Sequence, residues 1–254
     1  MSPDIILEQL VAMSRHLGEP ALDYAILGEG NTSARIDGET FWVKASGAEM
    51  RTIEAGGFIQ IGFDRVLALL EADTLGDDDV RACLEAAKSD PTVQARPSVE
   101  TALHAVALRL EGIRFVGHTH PTAVNAILCS EKAEEAIAGR LFPDEIVHCG
   151  PAPVYVPYTD PGVPLARAVR AAIDRHLTEY REVPRVILMQ NHGLIALGKT
   201  AAEIESITAM VVKTSRVILG AYALGGPHFL SPAAVTRIHT RPDETYRRQE
   251  WGSA

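Results

Sequence analysis

The sequence predicts an α/β protein in which a mixed sheet is packed by helices. Three observations carry that expectation. Segments with apolar residues at helical spacing recur along the chain, separated by short alternating or β-rich runs. Their order mixes tight hairpins with longer crossovers, so a clean βαβ array is not expected. No Ser-, Gly- or Pro-rich linker and no block of like charge divides the 254 residues, so one domain over 1–254 is expected, with a tail from about residue 231.

The elements follow in order. "IILEQLVAMSRHLG" has apolar positions at helical spacing and stops at Gly18. Residues 21–47, "ALDYAILGEGNTSARIDGETFWVKASG", read as strand, loop, strand, hairpin and strand, punctuated by glycines and a DG turn. "GFIQIGF" alternates as a strand, and helices follow in "DRVLALLEA" and "DDDVRACLEAAKS". "SVETALHAVALRL" is a helix opened by Ser98, "IRFVGHTH" a strand and "PTAVNAIL" a helix. "EIVHCGPAPVYVPY" reads as two short strands, "PLARAVRAAIDRHLTEY" as a helix and "RVILMQNHGLIALG" as a strand pair. A long helix from Thr200 closes the pattern.

Charge narrows the function. A net charge of -9 argues against a duplex-binding protein, which usually carries a basic stripe against phosphates, so small-molecule partners and no nucleic acid are expected. No apolar run reaches the roughly 18 residues of a membrane span, and "MSPDIILEQL" lacks a basic leader region, so a soluble, cytoplasmic protein without membrane contact is expected. Cys83, Cys129 and Cys149 are odd in number and lack CxxC spacing, which indicates neither a disulfide framework nor a cysteine zinc site.

Two glycine-rich stretches mimic nucleotide motifs. "GEGNTS" has Ser33 where a dinucleotide fingerprint needs its third glycine, and a strand follows where a helix is required. Its amides and hydroxyls, like those of "ASG" at 45–47, read either as an anion-binding nest or as a tight turn. "GLIALGKT", residues 193–200, matches the Walker A pattern letter for letter. Its four variable residues are a β-forming apolar run, however, and Thr200 with Glu203 makes a capping box, so strand followed by helix start is the reading adopted.

"GHTHP" places His118 and His120 on one face of a strand, side by side on a stiff support. Such a pair is either two ligands of one metal or two satisfied histidines. A catalytic metal typically takes three protein ligands and leaves a position open. His192, at the end of an apolar strand before Gly193, is the best third ligand, with His104, His148 and His16 behind it. Glu100 stands at a helix start, where a carboxylate is favoured by the dipole whether or not it is catalytic.

Taken in order, "GNTS", "ASG", "PSVETALH", "GHTHP" and "NHGLIALG" resemble the class II aldolase/adducin superfamily, which includes fuculose- and rhamnulose-phosphate aldolases and ribulose-phosphate 4-epimerases. The resemblance implies an α/β/α sandwich with a central mixed, largely antiparallel sheet, assembled as a homotetramer with sites between subunits. It implies one divalent metal per subunit, Zn2+ before Mn2+, on His118, His120 and His192, with Glu100 as catalytic carboxylate. It assigns Gly30, Asn31, Ser46, Gly47 and Ser98 to a phosphate pocket and implies a phosphorylated sugar as substrate. The implied activity is aldol cleavage of a ketose 1-phosphate to dihydroxyacetone phosphate and an aldehyde, with decarboxylation or 4-epimerisation as alternatives on the same site. The chain departs from some family aldolases at Val99, where they carry a second serine. Tyr155, Tyr158 and Tyr246 are candidates for the proton donor that those enzymes draw from a neighbouring subunit.

Overall fold

The computed structural model describes residues 1–72 and 75–243. Helix α1 (Pro3–Leu17) starts at Ser2, whose hydroxyl accepts the Ile5 amide, and ends at Gly18. Strands β1 (Asn31–Arg35) and β2 (Thr40–Lys44) form a hairpin closed by Asp37, whose carboxylate accepts the Glu39 and Thr40 amides at 2.8 Å each. Then come β3 (Phe58–Gly62), α2 (Phe63–Ala68), α3 (Asp77–Ala86), α4 (Thr101–Leu108) and β4 (Phe115–Thr119). They lead to α5 (Thr122–Leu128), α6 (Ala133–Ala136), α7 (Pro143–Cys149), β5 (Val154–Val156) and α8 (Val163–Tyr180). β6 (Val186–Met189), β7 (Gly193–Gly198), α9 (Ala201–Tyr222) and α10 (Pro232–His239) complete the chain order.

The strands form one sheet in the order β3-β2-β1-β4-β7-β6-β5, antiparallel throughout except for the parallel β5–β6 pair. Alternation along each strand divides side chains between two cores. In β6, Ile187 and Met189 join the core under α2, α4 and α8, whereas Val186 and Leu188 join that under α1, α5 and α9. The expected α/β/α sandwich with a mixed, largely antiparallel sheet is therefore present. In α9, Ile204, Ile207, Val211 and Ile218 are buried at helical spacing, each contributing about 1.5–3 kcal/mol of apolar transfer.

The chain folds differently from expectation in two places. Residues 21–27 are not a strand: a 3-10 turn at Pro20–Leu22 is followed by left-handed Asp23 (φ 59°) and Leu27 (φ 53°), which break extended pairing. The first of the two strands expected in 145–158 is helix α7 instead. Pro143 at its start, Asp144 and Glu145 in its first turn and Gly150 (φ 78°) after it are helix punctuation. α10 also gives the expected tail from residue 231 an ordered start, capped by Ser231.

The Walker-like segment is strand β7, with Leu194 to Leu197 all buried, and Thr200 caps α9 by accepting the Glu203 amide at 3.2 Å. "GNTS" runs into β1 rather than a helix. No described helix is long and apolar enough to cross a membrane.

Candidate metal centre

The site forms at the sheet end where β4 finishes and β1 and β7 begin. Pairing of β4 with β7 sets His118 opposite Ile195 and Thr119 opposite Leu194, which brings His192 beside two histidines distant in sequence. The β6–β7 connection is a tight loop with Asn191 left-handed at φ 54°, so His192 turns back over β4. Gly193 is needed there: a Cβ would lie 2.6 Å from both His120 Cδ2 and the Thr119 carbonyl.

The three rings enclose a common centre, with centroids 4.7, 4.9 and 5.3 Å apart, and their ligand atoms lie within 4.8 Å of one another. His118 Nδ1 donates to the Leu194 carbonyl at 2.9 Å, which leaves its Nε2 lone pair facing His120 Nε2 at 3.0 Å. Burial pushes the His118 and His120 imidazoles down to about 4, with neighbouring histidine charge adding to the effect. Both are thus neutral donors at neutral pH. A compact set of three imidazole nitrogens fits a tetrahedral divalent cation with one position left for water or substrate.

Glu100 lies against this cluster, its Oε1 3.0 Å from His192 Nε2 and its Oε2 3.7 Å from His118 Nε2. It occupies the cap position of α4, and Ser98 Oγ accepts its amide at 3.3 Å, so Ser98 caps a turn just before the helix. Asn31, register partner of His118 across β1–β4, donates its amide to Glu100 Oε2 at 2.6 Å. The Asn31 carbonyl oxygen in turn meets His104 Nε2, and His104 Nδ1 meets Ser33 Oγ at 2.7 Å. Burial alone would raise the Glu100 carboxyl; the His118 charge and the hydrogen bonds from His192 and Asn31 outweigh it and hold the group well below the usual carboxylate range.

The other expected ligands are elsewhere. His104 is fully buried behind Asn31, His148 lies on α7, and His16 on α1 faces Glu205 at 3.9 Å. Of the expected anion pocket, Gly30 (φ 65°) presses on the His118 carbonyl, where a Cβ would stand 2.5 Å away. Ser46 donates its amide to the Arg96 carbonyl at 2.9 Å, and Gly47 (φ 77°) borders open space. Tyr155 sits half-buried on β5, and the Tyr158 hydroxyl donates to Asp160 at 3.1 Å. Tyr246 falls outside the described residues.

Two side chains went unread in the sequence. Lys44 is 2% exposed; its Nζ donates to the Ala48 carbonyl at 2.5 Å and so underpins the turn carrying Ser46 and Gly47. Burial lowers its pKa, and the Glu100 charge opposes that shift. Glu29 places Oε1 3.9 Å from His120 Nδ1 while its other oxygen accepts the Ile26 amide at 3.1 Å. The signal for Lys44 was a lysine in an otherwise β-forming run two residues before an anion-type turn. For Glu29 no local signal existed, because the loop's fold brings it to His120.

Fold and site define an α/β/α protein with a cluster of three histidines and one carboxylate at the sheet's end. The chain belongs to the class II aldolase/adducin family: the model of the class II aldolase and adducin N-terminal domain matches residues 8–219. It is 27% identical over 217 residues to the uncharacterized oxidoreductase YuxG of Bacillus subtilis, a match covering 82% of this chain but 28% of that protein's length. It is 27% identical to the methylthioribulose-1-phosphate dehydratase of Bacillus pumilus, covering 79% of this chain and 85% of that one. Among solved structures, the N-terminal class II aldolase domain of a conserved Thermoplasma acidophilum protein is similar, with TM-score 0.66, 26% identity and coverage of 84% and 93%. An L-fuculose 1-phosphate aldolase shares the fold at TM-score 0.69 and 16% identity, covering 97% of this chain and 98% of that one.

Proposed function

We propose that the protein is a metal-dependent lyase that cleaves a ketose 1-phosphate into dihydroxyacetone phosphate and an aldehyde. The observation that carries this reading is the Glu100 carboxylate, held by Asn31 and lying 3.0 Å from His192 within a three-histidine cluster. His118, His120 and His192 would hold the divalent cation, Zn2+ before Mn2+. When bound, the cation supplies Lewis-acid polarisation of the substrate carbonyl and positive charge against the developing enediolate.

The chain's own residues do the rest. In the condensing direction, the ionised Glu100 carboxylate takes the proton from the carbon beside the carbonyl, and that carbon's electron pair then forms the bond to the aldehyde. Cleavage reverses these steps. Asn31, fixed between Glu100 and His104, keeps the carboxylate aimed at that carbon. A cavity of about 370 Å³ beside His120, walled by Asp23, Glu29 and Asn125, gives room for the hydroxylated end of the substrate. Anion binding at Gly30, Asn31, Ser46, Gly47 and Ser98 and assembly as a homotetramer are parts of the same proposal.

A second reading, dehydration of a ketose phosphate, is favoured by relatives named methylthioribulose-1-phosphate dehydratase at 26–27% identity. The same carboxylate would take a carbon-bound proton, with hydroxide rather than an aldehyde leaving. Decarboxylation and 4-epimerisation would draw on the same enolate chemistry. The test incubates zinc- or manganese-loaded protein with fuculose, rhamnulose and methylthioribulose 1-phosphates and follows dihydroxyacetone phosphate. Its release in step with aldehyde is expected. Loss of water or carbon dioxide without triose phosphate would replace this reading by a rival.

A further inference from the structure

Strand and helix spacings match at one place beside the metal centre. Asn31 and Ser33 stand two apart on β1, so their side chains leave the same face about 6.7 Å from one another. Thr32 between them points the other way, its hydroxyl 2.6 Å from that of Ser14. Glu100 and His104 are one turn of α4 apart, the His104 amide donating to the Glu100 carbonyl at 3.2 Å, which spaces them by about 6 Å. The two rows therefore interleave. Glu100 meets Asn31, Asn31 meets His104, and His104 meets Ser33.

The direction of every hydrogen bond in this row follows from its charged end. An ionised carboxylate only accepts, so Asn31 turns its amide nitrogen to Glu100 Oε2 at 2.6 Å and its carbonyl oxygen to His104. That oxygen also only accepts, so His104 Nε2 carries a proton. Burial pushes the His104 imidazole down to about 4, and a neutral ring holds a single proton, which leaves a lone pair on Nδ1. Ser33 Oγ, 2.7 Å from Nδ1, donates to it. The opposite tautomer would set His104 Nε2 and the Asn31 oxygen lone pair against lone pair. That contact is sealed from solvent: Ser33 and His104 are 0% and Asn31 5% exposed.

We propose that His104, carrying its proton on Nε2 and accepting from Ser33 at Nδ1, is a positioning residue that fixes the orientation of Asn31 and through it aims the Glu100 carboxylate. The inference rests on the proposed function only in taking Glu100 as the group that moves the substrate proton. Every donor in the row points toward Glu100. A half-turn of the Asn31 amide would present an oxygen to the carboxylate, and the His104 proton is what forbids it. The amide has two hydrogens and Glu100 takes one, so anion binding at Asn31 and this role coexist.

Neutron diffraction from crystals of the deuterated wild-type protein reads the proton positions without turnover. Deuterium is expected on His104 Nε2 and not on Nδ1, with the Ser33 deuteron directed at Nδ1. Deuterium on Nδ1 would overturn the proposal. Kinetics of the metal-loaded protein then test the action through Asn31. His104→Phe keeps a ring without a donor and should lower kcat about tenfold with metal content unchanged. His104→Gln restores a donor near the Nε2 position and should recover most of that loss. In the Asn31→Ala background, His104→Phe should lower kcat no further. Losses that multiply, or equal losses in the Phe and Gln variants, would mean that His104 merely fills space, and would also overturn the proposal. A protein that cleaves no ketose phosphate would count against the proposed reaction and leave the neutron result to decide the role of His104.

Discussion

At the scale of single residues, the site depends on buried groups that each have one place to send their polar atoms. Asn31 spans Glu100 and His104. Asn31→Ala should keep the metal, lower kcat about 10- to 100-fold through a misplaced carboxylate, and move the acid limb of the kcat/KM profile to higher pH. The sign follows from Glu100: its pKa is held down partly by the Asn31 donor, so removing that donor raises it and the ionised form is lost earlier on acidification. A pH profile identical to the wild type's would sink the Asn31 role. The histidines predict stability. His104, His118 and His120 lie near 4 in the folded chain, below their ordinary 6.5, so the unfolded chain takes up protons first as pH falls. Stability of the chelator-treated protein should drop between about pH 6.5 and 4, each buried histidine contributing about 1–3 kcal/mol. Glu100, also depressed, loses its contribution in the same direction. Melting temperatures that stay level across that window would contradict these burials.

At the scale of elements, two strands and one loop make the centre, and Gly193 is their closest approach. Gly193→Ala would drive a methyl group into His120 Cδ2 and the Thr119 carbonyl, each 2.6 Å from the ideal Cβ. Metal affinity by chelator competition should fall at least about tenfold, with a cost of about 1–3 kcal/mol in stability; unchanged affinity would mean that the β4–β7 contact does not position the ligand. The element pattern also shows what could be read from sequence. His118 and His120 were legible because period 2 puts them on one face, and His192 because a strand end before glycine offers close approach. The Asn31–His104 link was not legible, since it depends on α4 packing against β1, a contact between elements far apart in sequence. α7 looks like a strand in sequence because "EIVHC" alone is β-like, while its helix signals, Pro143 and Asp144, stand just ahead of it. Residues 21–27 look like a strand in sequence because an apolar run carries no mark of the left-handed turns at Asp23 and Leu27.

At the scale of the whole molecule, one sheet with a core on each face leaves the site at its rim, next to a loop that exposes apolar side chains. Ile26 is 57% and Leu27 78% exposed, and both flank Glu29, which faces His120. The proposed aldol chemistry also needs a proton donor for the alkoxide formed on addition. Tyr155 is half-buried on β5, and the Tyr158 hydroxyl is engaged with Asp160. In the proposed homotetramer, a second copy would cover Ile26 and Leu27 and bring a donor across the boundary. The expected assembly is a tetramer of chains of 27.4 kDa. Leu27→Asp places a charge where the partner would bury an apolar side chain, so light scattering should show smaller species. Turnover should fall with the tetramer fraction, while metal content per chain stays constant, because all three histidines come from one subunit. If Leu27→Asp remained tetrameric with wild-type kcat, that loop would not be the boundary through which a neighbour completes the site.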